Sequence, residues 1–171
     1  MPYMIRNAAM ATTAAQASAT TGTAIKTMLQ VATPATVMGR VLSWGFSIDD
    51  PAGADGVIEL LQTDVAATVT AHVAAGVQPL DPNAPAALFT LGVAATGYTA
   101  TAEGAITATR MFDAVSLSSV SAEAVATMHY SYQFMPDEQP LIPISKFLRI
   151  RATTPTTAVD LRCWVLLEQV G

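Results

Sequence analysis

Period-two alternation is the dominant signal along the chain. In Phe147–Ala152, Leu148, Ile150 and Ala152 share one face, and Arg149 and Arg151 take the other. Thr154-Pro155-Thr156 follows as a turn, because proline cannot donate to a central ladder. Beyond it Val159, Leu161, Cys163, Val165 and Leu167 alternate with Asp160, Arg162, Trp164, Leu166 and Glu168. The two runs read as an antiparallel pair joined by the Pro/Thr turn.

The same pattern recurs upstream. Ile25, Thr27, Leu29 and Val31 alternate with Lys26, Met28 and Gln30. Met38, Leu42, Trp44, Phe46 and Ile48 share a face of a long run that Arg40 interrupts. Ile106, Ala108, Arg110 and Phe112 oppose Thr107, Thr109 and Met111; Met128, Tyr130, Tyr132 and Phe134 oppose His129, Ser131 and Gln133. Val57–Val65 reads as a strand. Asp64–Ala75 allows an Ala-rich helix, but Thr68, Val69, Thr70 and Val73 favour strand by β-branching. Ser121-Ala122-Glu123 could open a short helix capped by Ser121.

Strong punctuators separate these runs: Asp49-Asp50-Pro51 with Gly53 and Gly56, then Pro79–Pro85, Gly97 and Pro136–Pro143. About eight strands at irregular spacing predict an all-β chain, a single antiparallel β-sandwich. Long Pro-rich end loops suit a jelly-roll-like arrangement. An immunoglobulin-like sandwich fits less well, since paired cysteines around a tryptophan are absent. Residues 1–23 differ from the rest. Pro2–Arg6 is a short β-prone piece, and Asn7–Thr23 is mostly Ala, Thr, Ser and Gln. The predicted organisation is an extended N-terminal arm, 1–23, and a sandwich domain, 24–171. A segment of that composition becomes ordered only where the domain's own sheet or a neighbouring molecule holds it.

Composition changes the picture. Charged side chains make up 12% of the 171 residues and hydrophobic ones 51%, where an ordinary soluble domain is about a quarter charged. Surfaces are normally kept soluble by charge. No stretch reads as a membrane span, so surface covered by other protein is the expectation. Ala and Thr supply about a third of the chain, allowing close approach at little side-chain entropy cost. A net charge of −5 and scattered arginines argue against nucleic acid. The lone Cys163 excludes an intramolecular disulfide. Ala15-Gln16-Ala17 matches a cleavage pattern, but Thr12 and Thr13 interrupt the preceding run, which lacks a Leu-rich centre.

Residues for catalysis are sparse. His72 and His129 stand alone, without the neighbouring histidines a metal site would use. Asp49, Asp50 and Asp55 with Gly56 lack the spacing and closing Glu of a calcium loop. No nucleophile elbow, phosphate loop or dinucleotide fingerprint occurs. Cys163 falls on an apolar strand face and reads as buried and inert. Glu59, Glu103, Glu123 and Glu168 are far apart in sequence, with nothing to pair them as acid and base. The chain therefore reads as a non-enzyme without cofactor or metal. Trp164 points outward on its strand, a position to be covered by the other sheet's edge, the arm or another subunit.

The stretch Gln139-Pro140-Leu141 through Leu148-Arg149-Ile150-Arg151-Ala152, ending Cys163-Trp164-Val165-Leu166-Leu167-Glu168, resembles the C-terminal strands of tailed-phage virion proteins. Gly92–Tyr98 and Thr107-Ala108-Thr109-Arg110 look similar too, so the resemblance spans much of residues 24–169. It implies a capsid decoration or minor capsid role in a bacteriophage virion, after synthesis in the host cytoplasm. The implied partners are the major capsid protein or other virion subunits, and no catalytic residue carries over.

The physical reading points the same way, to a homo-oligomer of closed symmetry, with a trimer favoured. Candidate interface residues are Tyr3, Ile5, Arg6 and Met10 of the arm, with Arg149, Arg151 and Trp164. The rival expectation is a carbohydrate- or receptor-binding sandwich using Tyr98 beside Gly97.

Overall fold

The computed structural model describes residues 1–10, 12–49, 56–117, 128–155 and 157–171. Among them the strands are β1 (Pro2–Arg6), β2 (Ala19–Thr20), β3 (Lys26–Ala32), β4 (Met38–Asp49), β5 (Gly56–Thr63), β6 (Thr68–Ala71) and β7 (Val77–Pro79). Then come β8 (Gly97–Ala102), β9 (Thr109–Leu117), β10 (Met128–Gln133), β11 (Leu141–Ile142), β12 (Phe147–Thr153) and β13 (Asp160–Val170). Ala74–Gly76 forms a 3-10 turn between β6 and β7.

These strands build two antiparallel sheets in a sandwich. The front sheet runs β10-β4-β13-β1-β7, with β11 also on β4 and β2 on β13. The back sheet runs β6-β8-β3-β12-β5-β9. The described residues thus hold thirteen strands against the eight expected: β2, β7 and β11 are too short to show a period, β8 starts at what reads as a punctuating glycine, and β1 reads as part of the arm.

One core fills the space between the sheets. From the front it takes Tyr3, Ile5, Trp44, Phe46, Leu161 and Val165. From the back it takes Leu29, Ile58, Leu60, Leu148, Ile150 and Ala152. The alternation in β12 and β13 is as the sequence predicts, but their pairing is not. β12 pairs with β3 and β5, whereas β13 pairs with β4 and β1. The two strands thus stand in different sheets and do not form a hairpin. An alternating run specifies a buried face, and two such faces can meet across a core as readily as side by side.

Bulges shift the other predicted faces. A register shift between Leu166 and Leu167, opposite Leu42, brings Val41 into the core and leaves Leu42 half-buried. Another between Ile150 and Arg151 lets both Met28 and Leu29 of β3 join the core. Asp64–Ala75 contains strand β6 and no α-helix. The Ser121 helix and the Asp50–Asp55 turn lie outside the described residues.

The N-terminal segment is stitched to the sandwich. β1 lies between β13 and β7, in register Arg6 to Trp164 and Ile5 to Val77. Asn7 extends the seam: its amide nitrogen donates to the Leu161 carbonyl at 3.0 Å, and its amide oxygen accepts from the Cys163 N–H at 2.8 Å. Further on, Ser18 and Thr20 hydroxyls donate to Asp160 at 3.2 and 2.9 Å, where β2 pairs with β13. For Pro2–Arg6, the holder is the domain's own sheet.

Candidate functional site

Much of the scarce polar chemistry pins the fold. At one flank Asp113 of β9 takes two hydrogen bonds from the front sheet, from Trp44 Nε1 at 3.0 Å and Tyr130 OH at 2.7 Å. Burial first, then this bond and the Asp113 charge, push the Tyr130 phenol up to about 12. At the opposite flank the buried His72 ring, just past β6, bonds the Arg6 carbonyl through Nε2 at 2.7 Å. Burial holds its pKa below the usual 6.5. Its ring also lies 4.8 Å from that of Tyr98. Tyr98 is thus half-buried against the core rather than displayed.

On the outer face of the back sheet Arg149 is wholly buried. It points away from the core, as the alternation predicts, but loop segments roof that face. Its guanidinium donates to the Glu103 carboxylate at 3.0 Å, the Glu103 carbonyl at 3.1 Å and the Val65 carbonyl. Glu103 also accepts the Thr27 N–H at 2.5 Å and the Thr27 hydroxyl at 2.6 Å. Gly104 turns the roof with φ of +74°, and a Cβ there would meet the Ala66 carbonyl at 2.6 Å. The Asp64 carboxyl is held at about 2 chiefly by the Thr107 hydroxyl, aided by the Ala108 and Thr107 N–H groups. Arg151 pairs with Glu59 on the neighbouring strand at 2.9 Å.

The outer face of the front sheet carries Trp164. Its indole is seated over Gly45, where a Cβ would come within 2.8 Å of Cζ2. Beside it lies a cleft of about 170 Å³ lined by Arg6, Gln16, Ser47, His129, Arg162 and Trp164. Arg162 Nε reaches the Gln16 carbonyl at 3.4 Å, so the N-terminal segment forms one wall.

The flank formed by β6, the 3-10 turn, β7 and the loop Leu80–Thr96 is different. Residues 65–102 contain one charged side chain, Asp81. Val73, Leu80, Leu88 and Val93 are exposed by 65, 55, 55 and 63%. Near them in sequence, Ala74, Pro79, Pro85 and Leu91 line a groove of about 140 Å³. The loop beneath is anchored: Tyr3 OH donates to the Pro85 carbonyl at 3.0 Å, and the buried Phe89 packs edge-on against Tyr3. Gln30 Nε2 holds the Ala95 carbonyl at 2.6 Å, and the Leu80 N–H donates to the Pro2 carbonyl at 3.2 Å. Met10 reaches this flank, where its sulfur accepts from Gln78 Nε2 at 3.0 Å. This flank is therefore an ordered surface with almost no charge.

No family model, curated protein or solved structure matches the chain.

The predicted contact residues divide accordingly. Tyr3, Ile5 and Arg149 are buried within this chain and present no surface; they belong to the core and to the roofed ion pair. Arg151 is half-buried and satisfied by Glu59. Arg6 and Trp164 come together at the front cleft, and Met10 at the charge-poor flank. Reading strand by strand missed Leu80, Leu88, Leu91 and Val93, because they lie in a loop. The stretch with Asp81 as its one charge was the signal that could have found them. Cys163 is buried, and burial pushes its thiol well up. Among the described residues no three His, Cys, Asp or Glu side chains gather as a metal site, and no helix is long and apolar enough to cross a membrane.

Proposed function

We propose that this chain is a non-enzymatic structural subunit of a virion, a capsid decoration or minor capsid protein. It binds the assembled shell through subunit contacts, and trimeric association is favoured. The observation that carries this reading is the charge-poor flank. An anchored loop that holds leucines and valines in water is costly unless a partner covers them, and contiguous exposed apolar patches mark contact surfaces. The polar groups support it: Asp113, His72, Arg149 and Glu103 serve as pins between segments of the same chain. The N-terminal segment would contribute through Met10.

Mass spectrometry of density-purified virus particles from the chain's own source tests the reading. It predicts the chain in a fixed ratio to the shell protein. A chain abundant in the lysate and absent from particles would overturn it.

The Trp164 cleft favours a second reading, a carbohydrate- or receptor-binding sandwich. A half-exposed indole flanked by Arg6, Arg162 and His129 offers a stacking surface beside hydrogen-bond donors. Tyr98, packed on His72, is less suited to that role. Binding on a glycan array that disappears in Trp164→Ala would support this reading, and a blank array would remove it.

A further inference from the structure

We infer that the charge-poor flank docks onto the opposite flank of a second copy of this chain, giving a head-to-tail ring. This deepens the structural reading above and rests on it. The occupant is argued from two features of the molecule.

The first is where the complementary surface lies. β6 and β7 end the two sheets on one side; β9 and β10 end them on the other. The Asp113 bonds to Trp44 and Tyr130 place β9 beside β4 and β10. Strand β9 is an outer strand with no further partner among the described residues, and Met111 on it is exposed. Leu141 and Tyr132 add exposed apolar surface to this side. Arg110 donates to the Leu141 carbonyl at 3.2 Å, which places this cation beside Leu141. The two apolar surfaces are on opposite sides of one protomer. A contact between them is heterologous and closes into a ring if the rotation permits, which a like-with-like dimer would not do.

The second is charge. Asp81 is the only charged side chain of residues 65–102, and it makes no ion pair among the described residues. Arg110 likewise makes none: it bonds Gln62 Oε1 and the Leu141 carbonyl and lies over the Phe112 ring. A lone acid in an apolar surface facing a lone cation in another sets the register of the contact and disfavours wrong pairings. Asp81 of one copy would meet Arg110 of the next. The apolar loop, already ordered by Tyr3, Phe89 and Gln30, loses little further freedom on docking.

Charge reversal tests this directly. Asp81→Arg and Arg110→Asp should each weaken self-association by about tenfold or more, as like charges meet across the contact. The double variant restores opposite charge at every contact, so its affinity should return to within about threefold of wild type. Circular dichroism checks that each variant folds. A cysteine pair gives an independent readout. Leu88→Cys with Met111→Cys should form intermolecular cross-links that neither single variant gives.

A double variant no tighter than the singles would overturn the inference, as would singles that associate like wild type. Efficient self-cross-linking of Leu88→Cys alone would also overturn it, since it would mean a like-with-like contact. A wild-type chain that stays monomeric at ~100 μM, far above the dissociation constant of an ordinary specific interface, would do the same. If the chain is nevertheless found in particles, the ring falls and the virion reading stands. Absence from particles with a ring intact would separate the two the other way.

Discussion

Trp44 Nε1 donates to Asp113 Oδ2 at 3.0 Å, joining the second strand of the front sheet to the outermost strand of the back sheet. Tyr130 OH reaches the same oxygen at 2.7 Å. One carboxylate thus closes one side of the sandwich.

Asp113→Leu should strand the indole N–H and the phenol, and cost about 1–3 kcal/mol in urea unfolding, the range for unsatisfied buried donors. It should also lower the Tyr130 pKa from about 12, but not fully to 10, because burial is the first cause of the shift. Ultraviolet titration of the phenol reads this. An unmoved phenol titration would contradict the pin.

The roofed ion pair should respond asymmetrically. Glu103→Gln leaves the Arg149 charge buried and should destabilise by about 3–5 kcal/mol. Replacing both partners, as Arg149→Met with Glu103→Leu, should recover most of that loss in chemical denaturation. Equal losses in the single and double variants would contradict it.

His72 gives a pH dependence of definite sign. Its folded pKa lies below the unfolded 6.5 because burial disfavours the cation. As pH falls below about 6.5 the unfolded chain gains a proton that the folded chain refuses, so stability falls. One such group changes stability by at most about 1.4 kcal/mol per pH unit. Denaturation of wild type against His72→Gln, from pH 7.5 down to the carboxylate range, should show a difference that shrinks with acid. A constant difference would refute the assignment.

Gly45 is where the sheet leaves room for Trp164. A Cβ there would meet the Tyr130 carbonyl at 2.6 Å and the indole at 2.8 Å. Gly45→Ala should therefore cost about 1–3 kcal/mol by overpacking. The displaced indole should shift tryptophan emission to the red. Unchanged emission and stability would argue against the seating.

The sequence made strand faces legible because burial on one side of a sheet imprints a period of two. Leu148, Ile150 and Ala152 could be assigned inward, as could Leu161, Cys163 and Val165. Sheet membership was not legible. β12 and β13 carry equally apolar inner faces, and the Pro/Thr sequence between them reads like any turn. Nor was the roof over Arg149, since an outward strand position says nothing about a loop from Glu103 arriving above it. The apolar flank was half legible. The near-absence of charge over residues 65–102 is plain in the sequence, but which leucines face water depends on how Phe89 and Tyr3 anchor the loop.

We propose that the missing charges mark a surface built for contact. Native mass spectrometry of the full chain at ~10 μM, a concentration at which an ordinary specific interface is occupied, is the decisive measurement. The expected result is a closed oligomer, three copies favoured, that Leu88→Asp converts to a folded monomer. A wild-type chain that is monomeric throughout, or an oligomer indifferent to Leu88→Asp, would contradict it.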